Sequence, residues 1–403
     1  MRQHTFTPLH QRDYLDWPFF DAGHREFLQS VDAFADSGAL DDVDHSDVDN
    51  ACRRLVVMLG RSGILRACVP SQFGGFAPTI ESRRLVLARE ALAYRNGLAD
   101  FSLAMQGLGS GPITLAGSDA LKSAVLPKVL RGELIPAFAL SEKGAGSDVA
   151  GMSTTARLDG GHYVIDGEKT WISNGGIADL YVLFARSSDA PGTHGISAFV
   201  VYPDDPGFSI AERIDVMAPH PLATLRFDGM RIPADRLLGA PGEGFKLAMR
   251  TLDIFRASVA GAALGFARRA FDEVTAYARS RRLFGAALSD MQLTQTRIGE
   301  MASLIDAAAL LTYRAAWRRD VQQLSTTRET AMAKMAATEN AQTVIDTAVQ
   351  LFGARGVQVG GMTERLYREI RALRIYEGAT EVQKIIIARD VLRNGIGLAK
   401  TAA

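Results

Sequence analysis

The strongest constraint on how this chain folds is a double change of hydrophobic period. Up to about residue 133, apolar residues recur at helical spacing. From 135 to about 238 they fall into short apolar or alternating runs divided by turn residues. From Gly244 the helical spacing returns and persists. A helix repeats its faces every 3.6 residues and a strand every two, so neither pattern folds as the other. The order is therefore helices, a small β unit, then helices. At 403 residues the chain exceeds a typical single domain, and the expected boundaries are 1–133, 134–240 and 241–403. The fold class is α+β, mostly α.

Within the first section the spacing predicts a helix over 25–35, with Phe27, Leu28, Val31 and Phe34 on one face. A second carries Leu55, Val56, Met58 and Leu59 and ends near Gly60, and others cover 80–94, 98–108 and 119–130. The acidic 36–49 and the Pro/Gly-bounded 69–78 read as loops. In the middle section, 154–158 and 162–166 flank Asp159-Gly160-Gly161, a hairpin signal. Runs at 180–185 and 196–201 read as buried strands, and 225–227 as a weaker one. In the last section Val259, Ala263, Phe266, Ala270, Val274 and Tyr277 make a long face. With helices over 291–319, 328–352 and 380–393 this predicts a four-helix bundle.

Composition narrows the function. Lys plus Arg and Asp plus Glu both number 45, so no net charge draws the chain to nucleic acid or to an anionic membrane. No apolar run reaches spanning length. The first twenty residues hold no apolar leader core, and Asp13 and Asp16 argue against a transit segment. A reducing cytoplasm is the expected compartment. Cys52 and Cys68 stand in apolar helical contexts and read as reduced core residues. The seven histidines show no ligand spacing, and no metal is expected.

Four stretches could carry chemistry. In LRIYEGATEVQKIIIAR (373–389), Glu377 stands where a periodic segment with Val382, Ile385, Ile386 and Arg389 begins. A carboxylate at the mouth of that helix, among Ile375, Tyr376 and apolar helices, would be desolvated and suited to removing a proton from carbon. It would equally serve as a favourable charge at a helix N-terminus. LSEKGAGSDVAG (140–151) follows a strand and would let backbone N–H groups approach a ligand; alone it reads as a Gly-rich turn. In EKTWISNGG (168–176), Trp171 and Ser173 share one side of a strand, a flat face beside a hydroxyl, or simply a core Trp and a surface Ser. RRLFG (281–285) follows the long helix. Its Arg281 would pair with a pyrophosphate or with the helix dipole, and Gln350 and Gly353 could meet the same ligand.

Taken together and in order, GAGSD (144–148), WISNGG (171–176), RRLFG (281–285), QLFGARG (350–356) and YEGATEVQ (376–383) resemble the acyl-CoA dehydrogenase family over about 20–393. The resemblance implies an N-terminal helical domain, a central β domain and a C-terminal four-helix bundle. It also implies bound FAD and a homotetramer. By position Glu377 resembles the catalytic base, which takes the α-proton of an acyl thioester while the β-hydride passes to flavin N5. The product is a trans-2-enoyl thioester, and electrons pass to an electron-transferring flavoprotein. Phe138, Leu140, Ser141, Gly146 and Ser147 resemble the flavin-binding loop, with Ser147 also touching the acyl-CoA. Trp171, Ile172 and Ser173 resemble the ring contacts. Arg281, Phe284, Gln292, Gln350, Gly353 and Ala354 resemble FAD contacts partly made across subunits, and Ala379, Thr380 and Glu381 complete the set. Asp253, Arg256 and Gly378 resemble thioester-ligand contacts. Some relatives take their base from the helix that holds Phe255, which cannot serve.

The sequence departs from the family pattern at Lys143, where Pro is common, at Ala379, where Thr is usual, and across 217–224 (MAPHPLAT). The last departure leaves open whether the thioester is carried by CoA or by an acyl-carrier protein. An acyl-CoA oxidase on the same fold, and a non-catalytic flavoprotein binding a partner or DNA, are the alternatives. The intact Glu377 speaks against a monooxygenase, and the neutral charge against DNA.

Overall fold

A computed structural model describes residues 12–394; the leader reading above falls mostly on residues 1–11, outside them. Five helices come first: α1 (Ala22–Asp36), α2 (Val48–Arg61), α3 (Ser82–Arg95), α4 (Gly97–Ala116) and α5 (Asp119–Arg131). Then come β1 (Pro136–Ala139), β2 (Thr155–Asp159), β3 (His162–Ser173), β4 (Leu180–Arg186), β5 (Ile196–Val201), β6 (Phe208–Arg213), β7 (Leu222–Pro233) and β8 (Leu237–Leu238). The last section holds α6 (Gly244–Ser280), the two-residue strands β9 (Arg282–Leu283) and β10 (Ala286–Ala287), α7 (Gln292–Gln322), α8 (Thr327–Phe352), α9 (Met362–Leu373) and α10 (Thr380–Asn394). The expected helix–sheet–helix order is what forms.

The chain makes two compact units. One joins the segment ending at Asp32, Ser82–Arg95 and everything from Arg256 on; the other joins Ala33–Glu81 and Asn96–Phe255. In the second unit an eight-stranded sheet runs β6-β7-β3-β2-β4-β5-β8, with β1 parallel to β4. The hairpin at Gly160-Gly161 forms as read, pairing Asp159 with His162; both glycines have positive φ, as a tight two-residue turn requires. β4 and β5 are buried almost throughout, matching their continuous apolar runs. α2, α4 and α5 belong to this unit. Asp47, Asn96 and Ser118 cap their N-termini by accepting from backbone N–H groups.

α4 runs eight residues past its expected end, through Gly109, Gly111 and Pro112. A Cβ on Gly109 would lie 2.7 Å from the Pro136 backbone, and one on Gly107 would lie 2.4 Å from the Phe255 ring. Close packing selects these glycines and overrides their poor helix propensity.

In the first unit, the α6 face is buried from Val259 to Val274. α3 lies so close to α6 that a Cβ on Gly265 would fall 2.3 Å from the Glu90 carbonyl. The N-terminus of α3 is capped by Asp320 of α7, which accepts from the N–H groups of Ser82 and Arg83, each at 2.9 Å. The C-terminal section holds a fifth helix, α9, beyond the four expected. Its Thr363, Leu366, Ile370 and Leu373 are buried at helical spacing, in a stretch whose many charges hide the stripe. Cys52 and Cys68 are buried thiols. Among the described residues no helix is long and apolar enough to cross a membrane.

Candidate active site

α9 ends at Leu373 and α10 begins at Thr380. Glu377 lies in the turn between them, three residues ahead of the helix rather than in its first turn. Its φ is 52° and that of Gly378 is 89°. The left-handed region costs an L-residue about 1–2 kcal/mol, so this turn forms only if its surroundings hold it. α8 and α10 do so. Lys334, wholly buried in α8, donates from Nζ to the Gly378 carbonyl at 2.8 Å. Gln383, wholly buried in α10, donates to the same carbonyl at 2.8 Å and to that of Glu377 at 3.3 Å. A Cβ on Gly378 would lie 2.4 Å from Gln383 Nε2 and displace that amide, and the positive φ favours glycine.

The rest of the turn is moored five residues further along α8. Glu339 takes a hydrogen bond from Thr380 Oγ1 at 2.6 Å and pairs with Arg374 at 2.8 Å. These partners hold its carboxyl below the usual range against the upward push of burial. The Thr380 hydroxyl is thus engaged inside this unit.

Burial pulls the Lys334 ammonium down to about 8. The charges of Glu377, Glu339 and Glu381 oppose that fall, and that of Arg256 adds to it. Arg256, itself buried in α6, therefore acts on the same small region as Glu377. One Glu377 carboxylate oxygen, Oε2, is shielded from solvent. Of the apolar surroundings expected here, Ile375 is 59% exposed and Tyr376 38%. Asp253 precedes Arg256 by one turn on α6 and is half-buried; Phe255 is buried. Gly378 and Ala379 are half-buried, and Glu381 is exposed.

The remaining first-unit residues gather at its surface. Tyr277 stacks on Phe352, with ring centroids 4.3 Å apart, and so brings the C-terminal ends of α6 and α8 together. Arg281 follows the one end; Gln350, Gly353 and Ala354 form the other, and all four are exposed. Gln292 opens α7 and is also exposed. A Cβ on Gly353 would meet nothing within 4 Å. Phe284, fully exposed, is the first turn residue of the β9–β10 hairpin.

In the second unit, Phe138 and Leu140 are buried, with Phe138 packed on Phe184 at 4.9 Å. This part of the loop therefore offers backbone, not side chains. Ser141 is half-buried; Gly146 and Ser147 are exposed, and a Cβ on Gly144 or Gly146 would meet nothing. The Ser141 carbonyl accepts from the N–H of Thr170 at 2.9 Å, tying the loop to β3. Between Lys169 and Ile172 the β3–β7 register slips. At that bulge Trp171 has φ 60° and stands 58% exposed between buried Thr170 and Ile172. The bulge, rather than simple alternation, turns the indole outward; Ser173 is half-buried.

Models of the acyl-CoA dehydrogenase N-terminal, middle and C-terminal domains match residues 21–133, 137–230 and 242–392. A probable acyl-CoA dehydrogenase of Mycobacterium tuberculosis, FadE25, is 36% identical over 86% of this chain and 90% of its own. The chain belongs to the acyl-CoA dehydrogenase family. The human mitochondrial short-chain specific acyl-CoA dehydrogenase is 38% identical over 84% of this chain and 82% of its own. The structure of butyryl-CoA dehydrogenase from Megasphaera elsdenii superposes with a TM-score of 0.87 at 31% identity, covering 93% of this chain and 99% of the other. Members of the family are FAD-dependent oxidoreductases. The residues here fit that cofactor: a large indole held outward at a strained bulge suits a flat ring, and the open glycine backbone at 144, 146 and 353 suits close approach by a phosphate-bearing chain.

Sequence reasoning missed Lys334, Gln383 and Glu339. Lys334 could have been found, since it falls on the α8 stripe of Thr330, Ala331, Ala337, Thr338 and Ala341, all buried.

Proposed function

We propose that the chain carries out α,β-dehydrogenation of an acyl thioester, with Glu377 as the base that takes the α-proton. The observation that carries this reading is the strained turn at Glu377-Gly378. Strain of about 1–3 kcal/mol in a non-glycine residue persists where the surroundings over-determine it, and it concentrates at functional sites. Of the five non-glycine residues with positive φ among the described residues, three are Glu377, Trp171 and Phe284, each a site position implied by the resemblance. Bound FAD supplies the acceptor for the β-hydride. Glu377 removes the proton, its backbone N–H stabilises the enolate-like oxygen, and Arg256 and Asp253 orient the thioester. By the family resemblance, Phe138, Leu140, Ser141, Gly146, Ser147, Trp171, Ile172 and Ser173 are the flavin-loop and ring contacts. Arg281, Phe284, Gln292, Gln350, Gly353, Ala354, Ala379, Thr380 and Glu381 are the further FAD contacts, partly made across subunits.

Short acyl-CoA thioesters are the first substrates to test, because the human and M. elsdenii relatives are named for short-chain and butyryl substrates. An electron-transferring flavoprotein is the proposed acceptor, and fatty-acid metabolism in the cytoplasm the setting. A homotetramer is favoured by the apolar side chains left on the first unit, with Leu293 84%, Val357 67% and Val359 79% exposed.

The test is anaerobic flavin bleaching across a panel of acyl-CoA and acyl-carrier-protein thioesters. Glu377→Gln should retain FAD and lose bleaching. Wild-type reduction by that variant would remove Glu377 from the role. Oxygen uptake without an added acceptor would favour an oxidase.

A further inference from the structure

Lys334 is an unusual residue to find wholly buried in the middle of a helix, since an ammonium loses its hydration there and persists only when paired and hydrogen-bonded. It spans 44 residues of sequence to reach the Gly378 carbonyl. Gln383 reaches the same carbonyl from α10. Two buried donors thus converge on one peptide group, and that group belongs to the only glycine of the Glu377 turn. Neither contact is needed to form α8 or α10, whose backbone bonds are local. Both fix the orientation of the peptide that follows Glu377.

We propose that Lys334 is a positioning residue for Glu377: it locks the Gly378 carbonyl next to the base and places a positive charge beside that turn. The inference rests on the reading of Glu377 as the base. Its charge partners are specific. The charges that act on Lys334 are those of Glu377 in the turn, Arg256 of α6, Glu339 of its own helix and Glu381 of α10. The attraction between Lys334 and Glu377 runs both ways, so removing the ammonium withdraws a force that holds the Glu377 proton off. Gln383 shares the mechanical part of this role and has no charge to contribute.

Three variants separate the two parts. Lys334→Met fills the space and removes both charge and donor. Lys334→Gln keeps a donor without charge. Gln383→Leu removes the other donor and leaves the charge in place. The measurement is kcat and kcat/KM for flavin reduction against pH on the FAD-loaded enzyme, with circular dichroism and flavin content as controls. With Lys334→Met the acid limb of kcat/KM should move up by about one pH unit, and kcat should fall roughly tenfold or more at neutral pH with a smaller change in KM. Lys334→Gln should recover part of kcat and keep the displaced limb. Gln383→Leu should lower kcat and leave the limb where it is. Should Lys334→Met fail to fold, Lys334→Gln and Gln383→Leu still give opposite outcomes at the acid limb. An unmoved limb in a folded, flavin-loaded Lys334 variant overturns the proposal, provided Glu377→Gln is inactive. An active Glu377→Gln overturns the reading of the base itself, and this inference falls with it.

Discussion

Lys169 of β3 reaches Glu142, in the loop after β1, with Nζ 2.8 Å from Oε1; the lysine is fully buried and the glutamate 6% exposed. The same ammonium donates to the Leu140 carbonyl at 3.0 Å, and the other carboxylate oxygen accepts from Ser153 N–H and Oγ. One buried ion pair therefore ties the Gly-rich loop to the strand that carries Trp171 two residues on. The two partners respond in different ways. Burial pushes the Glu142 carboxyl up, but the Lys169 charge and the donors at 153 and 154 outweigh it and hold it at about 2. At Lys169 burial prevails and pulls the ammonium down, as expected where one partner has several donors and the other is enclosed.

Removing the lysine should strand a buried carboxylate. Lys169→Met is expected to destabilise the protein by about 3–5 kcal/mol, read by urea unfolding, and to loosen flavin retention. The pH dependence has a definite sign. The Glu142 carboxyl lies below its ordinary 4.5 when folded, so the unfolded chain takes up the proton first. The stability it contributes is complete above about 4.5 and is lost as pH falls toward 2. Glu142→Gln should therefore show a flatter stability profile across that window than the wild type, and equal slopes would rule the pair out as an acid-sensitive element.

How much of this could be read from sequence depended on whether the cause was local. The Gly160-Gly161 hairpin was legible because two glycines decide the turn on their own. β6 was not, because only Phe208 and Ile210 mark it and the rest of this edge strand is exposed. β7 was seen only at 225–227, since Arg226, Asp228 and Arg231 face outward and break up the apolar run. Glu377 was legible as a carboxylate ahead of a helix. Its left-handed φ was not, because the strain is held by Lys334 from α8, 43 residues earlier in the chain. Likewise Glu142 sits in a motif that reads as a Gly-rich turn, and its anchor, Lys169, lies in a different motif. Short-range turn chemistry shows in sequence, whereas a buried charge that crosses between elements does not.

At Trp171 the exposed indole and the strained backbone can be tested separately. Trp171→Ala removes a stacking face worth about 1 kcal/mol, so FAD affinity should fall roughly fivefold, measured by flavin fluorescence on reconstituting the apoprotein. Trp171→Gly should lose the same affinity while being at least as stable as Trp171→Ala in the apo form, because glycine accepts φ 60° without strain. Wild-type FAD affinity in both variants would remove the indole from the flavin site.

Phe284 and Gly285 form the two-residue turn between β9 and β10, with Leu283 paired to Ala286 and φ values of 50° and 85°. Such turns favour Asn, Asp or Gly at their first position; a phenylalanine there is locally unfavourable, and it is fully exposed. The exposed ring is free to be covered by another copy of the chain in the homotetramer proposed above. Burying one phenylalanine side chain in an interface is worth about 1.5–3 kcal/mol. Phe284→Asn should leave the hairpin intact or firmer and raise the subunit dissociation constant roughly tenfold or more. Light scattering across a dilution series should then show a smaller mass at concentrations where the wild type stays assembled, with flavin content falling in parallel. An unchanged mass together with full flavin occupancy would show that the side chain serves neither the interface nor the cofactor.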